Sequence, residues 1–261
     1  MEIEVLVSTM HQVDMSLVNK MNINGNALII NQCKKTDYTE LKEKNRHIKM
    51  YSFNERGIGL SRNSALMRAT GDICILADDD VVYDDHYQNI VLDAFKHNTK
   101  ADIILFNVPS LNKDRQGPME INKGSTINYF NFMRYGAVSI AFRRESVIRA
   151  NVFFSLLFGG GAKYSAGEDT LFLYECLKKG LKIYKYPAQI GIVTQEDSTW
   201  FTGHNKKYFI DKGIFYATLS KKLSYLLILQ YAIRRHNLYK DEMGLIQAIK
   251  YMIEGKRKHL V

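Results

Sequence analysis

Three consecutive carboxylates, Asp78, Asp79 and Asp80, follow the apolar run Ile75-Leu76-Ala77 in the stretch CILADDDVVYDD. Adjacent like charges repel. A chain that holds three of them at the end of an apolar strand places them where a cation compensates them or where water solvates them. In the first case a hard divalent ion takes one or two carboxylates and keeps positions open for diphosphate oxygens and water. In the second, the segment is a solvated acidic turn, with Asp84 and Asp85 at a helix N-terminus. A second acidic pair, Glu168-Asp169, follows the glycine-rich stretch FGGGAKYSAG and opens a helical run. Its plain reading is a helix cap. His204 stands alone in STWFTGHNKKYF, near Trp200, whose ring suits either sugar stacking or core packing.

Elements must bring such residues together. The stretches EIEVLVS, NALIINQ, HIKMYS, DICILA and DIILFNV are short apolar runs that read as strands. Between them VDMSLVNKM, TDYTELKEKN, GLSRNSALMRA and DDHYQNIVLDAFKHN read as helices. Strands alternating with helices predict a mostly parallel sheet with helices on both faces, over residues 1–108. In such sheets ligands bind beyond the carboxyl ends of the strands, where the aspartate triplet falls. Beyond PSLNKDRQGPMEINKGS, a polar loop with two of the three prolines, AVSIAFRR and KIYKYP read as strands. ESVIRAN and EDTLFLYECLKKG read as helices, the latter ended by Gly180. Two further helices are expected at about 213–237 and 242–255.

With 46% hydrophobic and 24% charged residues among 261, the composition is that of a globular chain. The three cysteines, Cys33, Cys74 and Cys176, show no metal or redox spacing and fit reduced thiols in the cytoplasm. No apolar run approaches the roughly 18 residues of a membrane span. The net charge is +9, and the stretch from Asn205 onward holds 12 Lys and Arg against 4 Asp and Glu. No zinc spacing or RNA-binding sheet motif accompanies that charge, so nucleic acid is not an expected partner.

The stretch GLSRNSALMRATGDICILADDD resembles the nucleotide-sugar-binding core of the family 2 glycosyltransferases. Gly59, Ser61, Arg62, Asn63, Ala69 and Gly71 stand at the motif positions, with a shorter spacer before Arg62 than in many members. The stretch FGGGAKYSAGEDTLFLYECLKKGLKIYKYP resembles the acceptor-side motif of the same family, in the same order along the chain. The resemblance covers about residues 3–200. It implies a GT-A-type (Rossmann-like) α/β fold, to which the two helices expected after residue 205 add a C-terminal helical appendage. The implied divisions are a nucleotide-sugar-binding half at 1–108 and an acceptor-binding half at 109–204; the charge and the helical pattern add a basic helical tail at 205–261, which the resemblance does not cover.

What the resemblance implies extends to residues. Asp78 is assigned to ribose or sugar and Asp80 to Mn²⁺ or Mg²⁺, with Asp79 kept because the register is open by one position. Arg62 matches the arginine that reaches the nucleotide, and Ser8 and Thr9 match residues lining the nucleoside pocket. Many members carry an Asp at the end of the second strand; Asn31 and Gln32 stand there instead, and an amide both donates to and accepts from a base edge. Asp169 matches the catalytic base of inverting members, with Glu168 as the other candidate. His204 matches a histidine that completes the metal or diphosphate site. The implied reaction is metal-dependent, inverting transfer from a nucleoside diphosphate sugar, such as a UDP-sugar, to a glycan or lipid-linked saccharide. The implied setting is bacterial surface polysaccharide synthesis, in the cytoplasm or on the inner face of the membrane, with a homo-oligomer as an open option. Two alternatives stay open: a catalytically inactive sugar-nucleotide-binding module, and a haloacid-dehalogenase-like phosphatase, whose D-x-D strand comes first in the chain rather than after 77 residues. The basic tail is read either as a contact with an anionic membrane or as a helix packed on the protein.

Overall fold

The computed structural model describes residues 1–111, 120–194, 201 and 203–259. Trp200, the sugar-stacking candidate, lies outside the described residues. The chain folds as two compact units, Met1–Leu156 with Glu168–Ser198, and Leu157–Gly167 with Thr199–Val261. The glycine-rich stretch expected in the acceptor half belongs to the second unit.

In the first unit the apolar runs become strands β1 (Ile3–Met10), β2 (Asn26–Gln32), β3 (Asp37–Lys42), β4 (His47–Phe53), β5 (Ile73–Asp78), β6 (Val81–Tyr83), β7 (Ile103–Asn107), β8 (Ser125–Thr126), β9 (Ile140–Arg143), β10 (Ile183–Gln189) and β11 (Gly191–Val193). Nine of them form one sheet in the order β3-β4-β2-β1-β5-β9-β7-β10-β8, and β11 pairs separately with β6. The pairings set β4, β2, β1, β5, β7 and β10 in one direction and β3, β9 and β8 in the other. This is the expected mostly parallel α/β sheet. Strand β1 is buried almost along its whole length, as a central parallel strand covered on both faces must be. The flanking helices are α1 (Leu17–Lys20), α2 (Ile58–Arg68), α3 (Tyr87–His97), α4 (Arg144–Arg149) and α5 (Glu168–Lys178).

One expected helix is a strand. TDYTELKEKN supplies β3, paired antiparallel to β4 with Tyr38 opposite Tyr51. The two rings lie 4.7 Å apart, and Glu40 accepts from Lys42 while pairing with His47. The free edge of β4 and these cross-strand pairs outweigh the helix propensity of Glu, Leu and Lys. Every residue of β3 is exposed, and its charges suit a sheet edge that must not pair further.

The second unit contains α6 (Lys206–Leu219), α7 (Ser224–Arg234), α8 (His236–Tyr239) and α9 (Leu245–His259). The helix expected at 213–237 is therefore broken. Ser220 is extended, with φ −157°, and its hydroxyl accepts from Leu223 N at 3.2 Å. That local bond offers the backbone an alternative to continuing the helix. Helices α6 and α9 cross through glycines: a Cβ on Gly213 would stand 1.9 Å from Met252 O, and one on Gly255 would stand 2.0 Å from Ile210 O. Gly213→Ala is expected to cost about 1–3 kcal/mol, because backbone on the far side must move to admit the methyl group. Urea unfolding of the variant checks this, and an unchanged midpoint would refute the close crossing.

Candidate active site

Strand order reverses beside β1. The chain proceeds from β1 to β2 on one side and later places β5 on the other. In an open α/β sheet the crevice beyond such a point binds ligand. Register puts Ser8 of β1 opposite Asp78 of β5, and Thr9 opposite Asn31 of β2. Four of the sequence candidates therefore meet at the carboxyl ends of three adjacent strands.

Arg62 lies at the centre of the site. Helix α2 delivers it from below the strand ends, with its side chain only 4% exposed. Its Nη2 donates to Asp78 Oδ1 at 2.9 Å and its Nη1 to Glu168 Oε1 at 2.7 Å. The guanidinium also lies over the Phe154 ring, 5.6 Å from its centroid. Its Nε is buried and has no hydrogen-bond partner among the described residues. Burial alone would lower the pKa of Arg62, but the charges of Asp78, Glu168 and Asp169 overcome it and hold the cation protonated. One arginine thus joins the aspartate triplet of β5 to the acidic pair that opens α5. The sequence placed Arg62 against the nucleotide. In the structure each of its terminal nitrogens donates to one protein carboxylate and carries a second N–H.

The pair Glu168-Asp169 divides its work. Glu168 is buried and bound to Arg62. Asp169 Oδ1 accepts from Thr170 N at 2.6 Å and from Thr170 Oγ1 at 3.3 Å. Beside Oδ2 lies Gly136, where a Cβ would stand 3.6 Å away, so that oxygen faces a position without a side chain. Burial, reinforced by the neighbouring charge of Glu168, raises the Asp169 carboxyl to about 6, while Arg62 and the Thr170 bonds pull it back. A carboxylate with one oxygen anchored, the other beside a glycine and a pKa near neutrality is suited to take a proton from a hydroxyl.

On the donor side Thr9 Oγ1 donates to Asp79 Oδ2 at 2.5 Å, and Gln12 Nε2 donates to Thr9 Oγ1 at 3.0 Å. Ser61 donates to Ser8 at 2.9 Å, which fixes α2 against β1. Asp80 is placed through its backbone: its carbonyl accepts from both the N and the Oγ1 of Thr194, each at 2.9 Å, just past the β6–β11 pair.

The two amides at the end of β2 do not both point to a ligand. Asn31 is fully buried; its Oδ1 accepts from Gln12 N at 3.0 Å, and its Nδ2 donates to Gln12 O at 2.9 Å and Ser52 Oγ at 3.1 Å. The sequence assigned Asn31 to a base edge; in the structure it holds the turn after β1 and reaches Ser52 of β4. Gln32 Oε1 accepts from Gly57 N at 2.6 Å at the start of α2, and its Nε2 has no protein acceptor among the described residues.

His204 lies in the second unit. Its Nδ1 pairs with Glu242 Oε1 and its backbone N donates to Glu242 Oε2, both at 2.7 Å. The ring contacts Phe201, Tyr208, Phe209 and Tyr239. Those contacts fix the ring through Nδ1 and its faces, and Glu242 leads into α9.

Two residues without an assigned role complete the site. Asn63 clamps the peptide of Phe154, donating to its O at 2.9 Å and accepting from its N at 2.7 Å. Phe154 in turn stacks on Phe172 of α5 at 4.2 Å. Asn63 stands beside Arg62 in the SRN motif, which was the available signal; nothing in the sequence marks Phe154. Gly59 of the same motif leaves no room for a Cβ, which would lie 2.2 Å from Ser155 O.

The family model for glycosyl transferase family 2 matches residues 16–153, just over half of the chain. No curated protein matches the sequence. Among solved structures, the fold is similar to that of S. aureus TarS 1-349 in complex with UDP-GlcNAc, with a TM-score of 0.64, 12% identity, and 99% of this chain and 89% of that chain covered. The complex of the same protein with UDP gives a TM-score of 0.62 and 14% identity over 98% of this chain and 81% of that chain. The family match spans Arg62 and the aspartate triplet, and the likeness in fold extends over the segment that carries Glu168 and Asp169. On these grounds the protein belongs to glycosyl transferase family 2, has the GT-A fold, and is a glycosyltransferase.

Proposed function

We propose that the protein transfers a sugar from a nucleoside diphosphate sugar, a UDP-sugar in the first instance, to a saccharide acceptor with inversion at the anomeric carbon. The observation that carries this reading is the Arg62 bridge, which ties Asp78 of the aspartate triplet to Glu168, the neighbour of Asp169, through one guanidinium. The complexes of TarS with UDP-GlcNAc and UDP support a uridine nucleotide. Gln32 Nε2 is the amide group left to donate to a base carbonyl.

Asp169 Oδ2 takes the proton of the acceptor hydroxyl as that oxygen forms its bond to the anomeric carbon. The bond from that carbon to the diphosphate oxygen breaks, and its electron pair leaves with the nucleoside diphosphate. A single displacement inverts the configuration. Glu168 acts as a positioning residue that keeps Arg62 in place, and Asp78, also bound to Arg62, faces the ribose or sugar.

A divalent cation fits the residues present. Three carboxylates, Asp78, Glu168 and Asp169, act on the guanidinium of Arg62, and Asp79 and Asp80 follow Asp78 directly in the chain, which leaves a surplus of negative charge beside the place proposed for an anionic diphosphate. Among the described residues no three His, Cys, Asp or Glu side chains converge into a cage. Mn²⁺ or Mg²⁺ would therefore rely on Asp80, with Asp79 beside it and the donor supplying further oxygens. When bound, the ion stabilises negative charge on the departing diphosphate.

Asp80→Asn is expected to lower transfer by about 10²–10³, the usual loss when one stabiliser of developing charge is removed. A donor panel scored by released nucleoside diphosphate tests the reaction. Calorimetric titration of nucleotide with and without Mn²⁺ tests the ligand separately. Metal-enhanced binding that survives in Asp80→Asn would remove Asp80 from the metal site. The acceptor class best suited to the proposal is a glycan or lipid-linked saccharide of the bacterial surface, made on the cytoplasmic side of the membrane.

A further inference from the structure

The sequence left the basic tail as either a membrane contact or a packed helix, and the structure separates the two possibilities between different helices. Helix α9 is packed: Ala248 and Met252 are fully buried, and Lys256 is 5% exposed with its ammonium 3.2 Å from the centre of the Tyr225 ring. Helix α7 is different. Ser224, Ile228 and Ala232 turn inward, while Leu223, Leu226, Leu229 and Ile233 on the opposite side are 47% to 64% exposed. Spacings of three, three and four residues put these four side chains along one face. Such a contiguous aliphatic face on a surface helix is unusual and marks a contact site.

Charge indicates what covers it. Lys221 and Lys222 precede the helix, and Arg234 closes it. From Lys212 to Lys240 the chain contains six Lys and Arg and no Asp or Glu. A second copy of this chain would bring the same positive charges face to face, which opposes self-association through the helix. An anionic lipid surface complements both features, since aliphatic side chains enter the acyl boundary and basic groups stay at the headgroups. Among the described residues no helix is long and apolar enough to cross a membrane. We propose that α7 is an in-plane membrane-docking helix, with Leu223, Leu226, Leu229 and Ile233 as its inserting face and Lys221, Lys222 and Arg234 as its anionic-headgroup contacts. This deepens the lipid-linked acceptor reading by naming the surface that brings the enzyme to such an acceptor, but it makes its own claim, since docking can fail while sugar transfer succeeds.

The test is co-sedimentation of the full chain with vesicles of phosphatidylglycerol and phosphatidylcholine, and with phosphatidylcholine alone. The wild type is expected to pellet with the anionic vesicles and to be released at high salt. The triple variant Leu226→Ser, Leu229→Ser, Ile233→Ser is expected to lose binding by at least about tenfold, because three aliphatic groups leave the acyl boundary. Each of Lys221→Gln, Lys222→Gln and Arg234→Gln is expected to weaken it by up to about fivefold at low salt. Hydrolysis of the sugar nucleotide in solution, measured on every variant, should stay at the wild-type rate and certifies folding. Absence of pelleting by a folded wild type, or equal pelleting of the serine variant, would overturn the proposal. So would a concentration-dependent dimer, seen by analytical ultracentrifugation, that the serine variant abolishes, since the face would then be an interface between copies.

Discussion

Asp169→Asn is expected to abolish most sugar transfer, by about 10²–10⁴ in turnover, while nucleotide affinity changes little. The amide keeps the shape of the carboxyl and can still accept from Thr170, but it cannot take a proton. The pH dependence follows from the raised pKa. A base must be ionised to act, so wild-type kcat/KM should fall as pH drops through about 6, and the residual activity of Asp169→Asn should lack that limb. Stability moves the opposite way. The folded carboxyl is raised above its usual value of 3.8, so its ionisation costs stability as pH rises from about 4 to 6. Removing the charge should make Asp169→Asn more stable than wild type at pH 7, on the order of 1–3 kcal/mol, and no more stable at pH 3. Turnover against pH and urea unfolding at the two pH values check both halves. A variant that retains near-normal transfer, or a product of retained anomeric configuration, would remove Asp169 from the role of base.

Arg62→Met should be nearly as damaging, through two routes. Removing one partner of a buried ion pair leaves the other charge uncompensated, at about 3–5 kcal/mol. Here the burden falls on Glu168, whose side chain is 12% exposed; Asp78 is 38% exposed and relaxes into water, so the lower end of that range is expected. The second route is electrostatic. Arg62 holds the pKa of Asp169 down, so its loss should move the acidic limb of the rate profile to higher pH. Arg62→Lys restores the charge but not the fork. A single ammonium does not reproduce bonds of 2.9 and 2.7 Å to carboxylates on β5 and α5. It should recover part of the pH shift and less of the stability. Urea unfolding and the pH profile of the two variants separate these effects. Loss of stability without any pH shift would make Arg62 a structural link only.

The parts of the fold fixed by burial were legible from the residues. Strands β1, β2, β5 and β7 are buried on both faces, and only uninterrupted apolar runs satisfy that environment. Helix α5 was legible for a different reason: its acidic start and Gly180 stop sit at the ends where backbone groups need partners. Strand β3 was not, because all six of its residues are exposed and its conformation is decided by pairing with β4, a contact across sequence. The break at Ser220 was hidden likewise, since apolar residues continue on both sides and only the local hydroxyl bond ends the helix.

The site divides along the same line. Residue types alone drew notice to Asp78 to Asp80 and to the pair Glu168-Asp169, and the resemblance to a family added Arg62 and the role of base. Their division of labour came from distance and burial. Arg62 faces two carboxylates, 16 and 106 residues away in the chain, and no local pattern encodes that meeting. Asn31 has the functional groups to read a base, and Gln12 and Ser52 engage both its oxygen and its nitrogen. His204 has two ring nitrogens that could ligate a metal, and Glu242, 38 residues away in the chain, takes Nδ1. The exposed face of α7 carries the same lesson: Leu226 and Met252 are both apolar residues in amphipathic helices, and only packing buries one and leaves the other in water. Sequence determines which groups a chain possesses. Which of them stay unspent is decided by three-dimensional neighbours, because hydrogen bonds and ion pairs saturate and burial depends on what lies opposite.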